Sequence, residues 1–115
     1  TPAIYINVRD KSYPYKLEKI YEYCYQKDYK NIVIYGECHL EEIINKRYYD
    51  LLAAISDGAI SKVIFHSIDD IPDYTYELLS VCNSTGAKIE LATFDDNMVY
   101  QSYEMDILKY VAYCE

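Results

Sequence analysis

The chain of 115 residues contains no tryptophan, three glycines, three prolines and only two arginines, Arg9 and Arg47, among its eleven basic residues. So few glycines and prolines leave no linker and no low-complexity stretch, which predicts one compact domain. The glycines stand singly at Gly36, Gly58 and Gly86, so neither GxGxxG nor GxxxxGK[ST] can be assembled, and the usual nucleotide-binding loops are excluded. Two arginines cannot furnish a site that grips a phosphate with several bidentate forks. No apolar run approaches the roughly 18 residues of a membrane span, and the first residues do not resemble a signal peptide. Cys24, Cys38, Cys82 and Cys114 are too far apart for a CxxC pair or a zinc knuckle.

What is present is acidic and rich in tyrosine. Nineteen Asp and Glu against eleven Lys and Arg give a formal charge of −8, and sixteen residues are tyrosine. A negative surface repels nucleic acid and anionic lipid, so direct DNA binding and membrane association are not expected. The composition predicts a cytoplasmic protein with reduced, partly buried thiols, and at this length one core suffices without disulfides or metal. The tyrosines reflect either an AT-rich coding sequence or an adhesive face. Thr1 in place of an initiator Met is the start expected of a piece of a longer protein.

Short β-rich runs alternate with segments of helical period, the pattern of an α/β domain. The expected strands are Ala3–Val8, Asn31–Tyr35, Lys62–Phe65 and Lys88–Ala92. The second is short and apolar enough to be buried on both faces. Pro14 marks the start of a helix whose inward stripe is Leu17, Ile20, Tyr21 and Cys24. A second helix carries Leu40, Ile43, Ile44, Tyr48, Leu51, Leu52 and Ile55, and stops at Gly58. A third turns Leu78, Leu79 and Cys82 inward and stops at Gly86. A long terminal helix over Asn97–Glu115 presents Tyr103, Ile107, Val111 and Cys114. The predicted architecture has three layers, with a mostly parallel sheet of four or five strands and helices on both faces.

Ligands of such sheets collect beyond the carboxyl ends of the strands, here 7–12, 36–39, 66–73 and 93–97. Asp69, Asp70 and Asp73, with Asp95, Asp96 and Glu37, could converge on Mg²⁺, an ion that prefers oxygen ligands. The plainer reading is solvated charge, with Asp73 capping the helix that begins near Tyr74. His39 and His66 could act as bases beside Glu37 or Asp69. Ser67 has no GxSxG elbow around it, and Cys38 and His39 are adjacent residues that point apart in extended chain.

The order of elements and several strings resemble the N-terminal catalytic domain of the serine recombinases, the resolvase and invertase family. Ala3-Ile4-Tyr5-Ile6-Asn7-Val8-Arg9 resembles the first strand, which ends in Y-x-R-V-S in the family. Lys16–Cys24 resembles the first helix and Lys27-Asp28-Tyr29 the segment after it, and Tyr48–Ile60 is similar to the end of the second helix. Lys62–Asp69 resembles V-V-V-x-x-L-D, and Glu77-Leu78-Leu79 through Gly86-Ala87-Lys88-Ile89 resembles E-L-L together with a later G-V-x-I. The resemblance implies DNA cleavage by a serine hydroxyl, with arginines neutralising the phosphoryl group.

The positions that would carry this chemistry depart from the pattern. Asn7 stands where the resemblance places an arginine, and Arg9 where it places the nucleophile. D-R-L-x-R reads Asp69-Asp70-Ile71-Pro72-Asp73, with aspartates in place of both arginines. Asn45 falls near the helical arginine, and Arg47 is displaced by two residues. The first loop is two or three residues short, without its glutamines. The expectation is therefore a resolvase-like domain that has lost strand cleavage, needs no cofactor and serves in interaction, oligomerisation or regulation. Its partner would be a second copy or a related protein of a mobile element, docked through Tyr103, Ile107 and Val111. One alternative is an Mg²⁺-dependent enzyme acting on a phosphate-containing substrate through Asp69, Asp70 and Asp73. Another is an active recombinase in a shifted register, with Ser12 as nucleophile.

Overall fold

The computed structural model describes residues 1–38, 46–72 and 75–93. Its elements are β1 (Pro2–Asn7), α1 (Tyr13–Gln26), β2 (Val33–Glu37), α2 (Lys46–Ser56), β3 (Lys62–Phe65), a 3₁₀ turn (Ile68–Asp70), α3 (Thr75–Thr85) and β4 (Lys88–Leu91). The four strands form one parallel sheet in the order β2-β1-β3-β4, as the alternation of strands and helices predicts. The expected terminal helix, with Tyr103, Ile107, Val111 and Cys114, lies outside the described residues. So do the 39–45 segment, with His39, Leu40, Ile43, Ile44 and Asn45, and Asp73, Asp95 and Asp96.

Side chains alternate across a strand, so the register sorts them onto two faces. Tyr5, Glu37, Val63, Phe65, Ile89 and Leu91 share one face, while Ile4, Ile6, Lys62, Ile64 and Glu90 share the other. On the first face α2 buries Tyr48, Leu51, Leu52 and Ile55, and α3 buries Leu78 and Cys82. The rings of Tyr48 and Phe65 flank that of Tyr5 at centroid distances of 5.8 and 6.3 Å. Helix α1 lies on the opposite face and buries Ile20 and Cys24.

Several local expectations are corrected. Tyr21 is 43% exposed; Tyr23 turns inward in its place because its hydroxyl finds Glu90 on β4. Leu79 is likewise 40% exposed. The second strand begins two residues later than expected because Asp28 and Asn31 take the left-handed conformation, at φ 60° and 57°, and spend that stretch on turning the chain. Among the described residues it is also an edge strand, exposed at Val33 and buried only at Gly36 and Glu37, not a strand covered on both faces. The helix stops are as expected: Gly58 and Gly86 have φ of 82° and 79°, where a side chain would be strained. Cys24 and Cys82 are free and buried. Cys38 is disulfide-bonded, which corrects the expectation of four reduced thiols.

Candidate functional site

The strand order reverses between β1 and β3, so the crevice of this sheet lies beyond their carboxyl ends. One wall is the β1–α1 loop and the first turn of α1. The other is His66 to Ile71 after β3. The loop is shaped by its own polar side chains: Asn7 Oδ1 accepts from the Arg9 amide at 3.0 Å, and Asp10 Oδ1 accepts from the Ser12 amide at 2.9 Å. Pro14 then sits in the first turn of α1, where its missing N–H costs nothing.

Lys16 joins the two walls. Its Nζ donates to Asp10 Oδ2 at 2.8 Å and to Asp70 Oδ1 at 2.6 Å. The opposite Asp70 oxygen accepts from Ser67 Oγ at 2.8 Å and lies 3.4 Å from Nδ1 of His66, an ion pair only when the imidazole is protonated. The Tyr15 ring meets the His66 ring edge-on at 6.1 Å. Hydrogen bonds from Lys16 and then from Ser12 hold the Asp10 carboxyl far below the usual carboxylate range. Burial disfavours the Lys16 charge, but the bonds to Asp10 and Asp70 outweigh it and raise its pKa.

The expected site residues divide accordingly. Asp70 is at the centre of the crevice. Asp69 beside it is exposed, as are Asn7 and Arg9. Glu37 belongs elsewhere. It is fully buried, and its Oε1 accepts from the Tyr5 hydroxyl at 2.9 Å and the Tyr48 amide at 3.2 Å, while Oε2 accepts from the Arg47 amide at 3.2 Å. The carboxylate therefore caps the first turn of α2 and satisfies amides that a helix start leaves orphaned. Arg47 directs its Nη1 to Asp50 at 3.1 Å. Among the described residues no three His, Cys, Asp or Glu side chains converge as a metal site would require.

Chemically, the crevice holds hydroxyls that already have acceptors. Ser12 Oγ donates to Asp10 Oδ1 at 2.7 Å, and Ser67 Oγ donates to Asp70. Both carboxylates are bound by the same ammonium, and at Asp10 that bond, with those from Ser12, lowers its strength as a base. Lys16 and Asp10 were the members that sequence reasoning missed. Their only signal was a lysine one turn into an amphipathic helix, and that reads as a solvated charge until β3 brings Asp70 to it.

Compared with protein-family models, with curated proteins and with solved structures, the chain matches none.

Proposed function

We propose that this chain is a recombinase-like domain without strand-cleavage chemistry that serves as an interaction or oligomerisation module. The observation that carries the reading is the state of Lys16. The ammonium that bridges the crevice is bonded to two aspartates, and the two serines there donate to those same aspartates. An incoming phosphodiester would have to displace the internal carboxylates from Lys16 and then meet their repulsion. The family's arrangement needs the reverse, cations free to receive the phosphoryl oxygens and a serine free to attack.

The dimer seam of this proposal runs along Tyr103, Ile107 and Val111, about one helical turn apart. Light scattering on the intact chain should give a dimer, and Ile107→Asp should give a monomer whose circular dichroism is unchanged. A monomeric parent, or a variant that stays dimeric, would overturn the reading.

A further inference from the structure

Helix α1 stands apart from the other two. Among the described residues it is alone on its face of the sheet, whereas α2 and α3 share one core with Tyr5 and Phe65. It buries Ile20 and Cys24 and packs Tyr13, Leu17 and Tyr23 partly against the core. Polar contacts fasten it at both ends, and neither set resembles the apolar seam across the sheet.

The first set is Lys16 to Asp70, across the crevice. The second lies under the far end of the helix. Tyr23 Oη and Tyr29 Oη both donate to Glu90 Oε1, at 2.7 and 2.6 Å. Lys62 Nζ stands 3.5 Å from Oε2 of the same carboxylate, donates to Tyr29 Oη at 3.1 Å, and lies 4.4 Å from the centroid of the Tyr29 ring. Glu90 and Lys62 are on β4 and β3, so a helix that crosses β1 is tied sideways to the other half of the sheet.

We propose that α1 is a releasable element of this fold, latched to the sheet by Lys16–Asp70 and by Tyr23/Tyr29–Glu90, and that it undocks as a unit while the sheet, α2 and α3 remain folded. Local openings follow cooperative units, and a helix that packs on the sheet without a second helix beside it, held by its own polar fastenings, forms such a unit. The consequence for the crevice is direct. Lys16 is supplied by α1, so the Asp10–Lys16–Asp70 arrangement exists only while α1 is docked, and release removes one wall of the crevice together with its cation.

The two free thiols report on this motion from opposite faces. Cys24 is on the inner side of α1 and Cys82 is on α3, and burial pushes each thiol up to about 12, with Glu90 adding to the effect at Cys24. In the native state both are therefore protected from alkylation until the structure opens. In the parent protein, iodoacetamide labelling coupled to mass spectrometry should modify Cys24 at least tenfold faster than Cys82. The paired change Tyr23→Phe and Tyr29→Phe removes both donors and keeps the rings. It should speed Cys24 labelling about tenfold again while Cys82 stays within twofold. Amide hydrogen exchange provides the second readout: the α1 amides should accelerate by the same factor, with those of β3 and α2 unchanged. Equal labelling of the two thiols in the parent, or a variant in which α1 and α2 accelerate together, would show that α1 opens only with the whole domain and overturn the proposal.

Discussion

Nζ of Lys16 and Oδ1 of Asp70 lie 2.6 Å apart across 54 residues of sequence, with the side chains 21% and 18% exposed. At that burial the pair is only partly screened, and loss of one partner leaves the other charged without its counterpart. Lys16→Met keeps the aliphatic stem and removes the charge. It should cost about 2 kcal/mol, or roughly 10 °C in Tm for a domain of this size. The contact itself is isolated by adding Asp70→Asn: a double-mutant cycle should return a coupling of about 1 kcal/mol or more. Additive losses would mean that the short distance carries no net energy.

Glu37 makes a sharper prediction because three donors depend on it. Glu37→Ala strands two amides of α2 and the Tyr5 hydroxyl in a dry environment, with an expected loss of about 3 kcal/mol in urea unfolding. Glu37→Gln keeps one acceptor oxygen but turns an NH₂ toward donors, so about half that loss is expected. Burial and the adjacent Glu37 also raise the Tyr5 pKa strongly. The Tyr5 phenol should therefore resist ionisation in alkali for as long as the fold persists. A Glu37→Ala variant that unfolds within about 0.5 kcal/mol of the parent, the range of an ordinary surface change, would remove the capping role.

The sheet was legible in the sequence because buried parallel strands write themselves as short apolar runs. Lys62–Phe65 is the clearest case, and its bounds agree with the structure residue for residue. What periodicity cannot see is a partner on another element. Tyr21 and Tyr23 are equivalent by composition, and the helical stripe selects Tyr21, but the hydroxyl of Tyr23 has a carboxylate waiting on β4. Nor does a strand pattern reveal whether a second strand lies beside it. The run at Asn31–Tyr35 reads as core, and only the strand order shows β2 to be an edge among the described residues. At the crevice, Asp70 was visible as part of an acidic string. Its meaning was not, because three aspartates close together suggest a cation from solution, whereas the cation that holds Asp70 comes from α1.

The pH dependence of stability rests on the shifts at Asp10 and Lys16. The Asp10 carboxyl is depressed in the folded state, so it releases its proton more readily there than in the unfolded chain, whose value lies near 3.8. Its contribution is present in full above the unfolded value and is lost as pH falls through the lower folded value. Lys16 is raised above its ordinary 10.5, so its contribution is complete below 10.5 and is lost as pH rises through the folded value. Together they predict a plateau between the two limits, with stability falling on the acid side below about pH 4 and on the alkaline side above about pH 10. Urea midpoints monitored by circular dichroism across this range test the shape. Asp10→Asn should lower the plateau and flatten the acid limb, since the variant has no carboxyl to protonate at that position. Asp10 is one-third exposed, so added salt should reduce the parent's advantage over the variant. An acid limb equally steep in both proteins would assign that loss to other carboxylates and place Asp10 outside the stabilising pair.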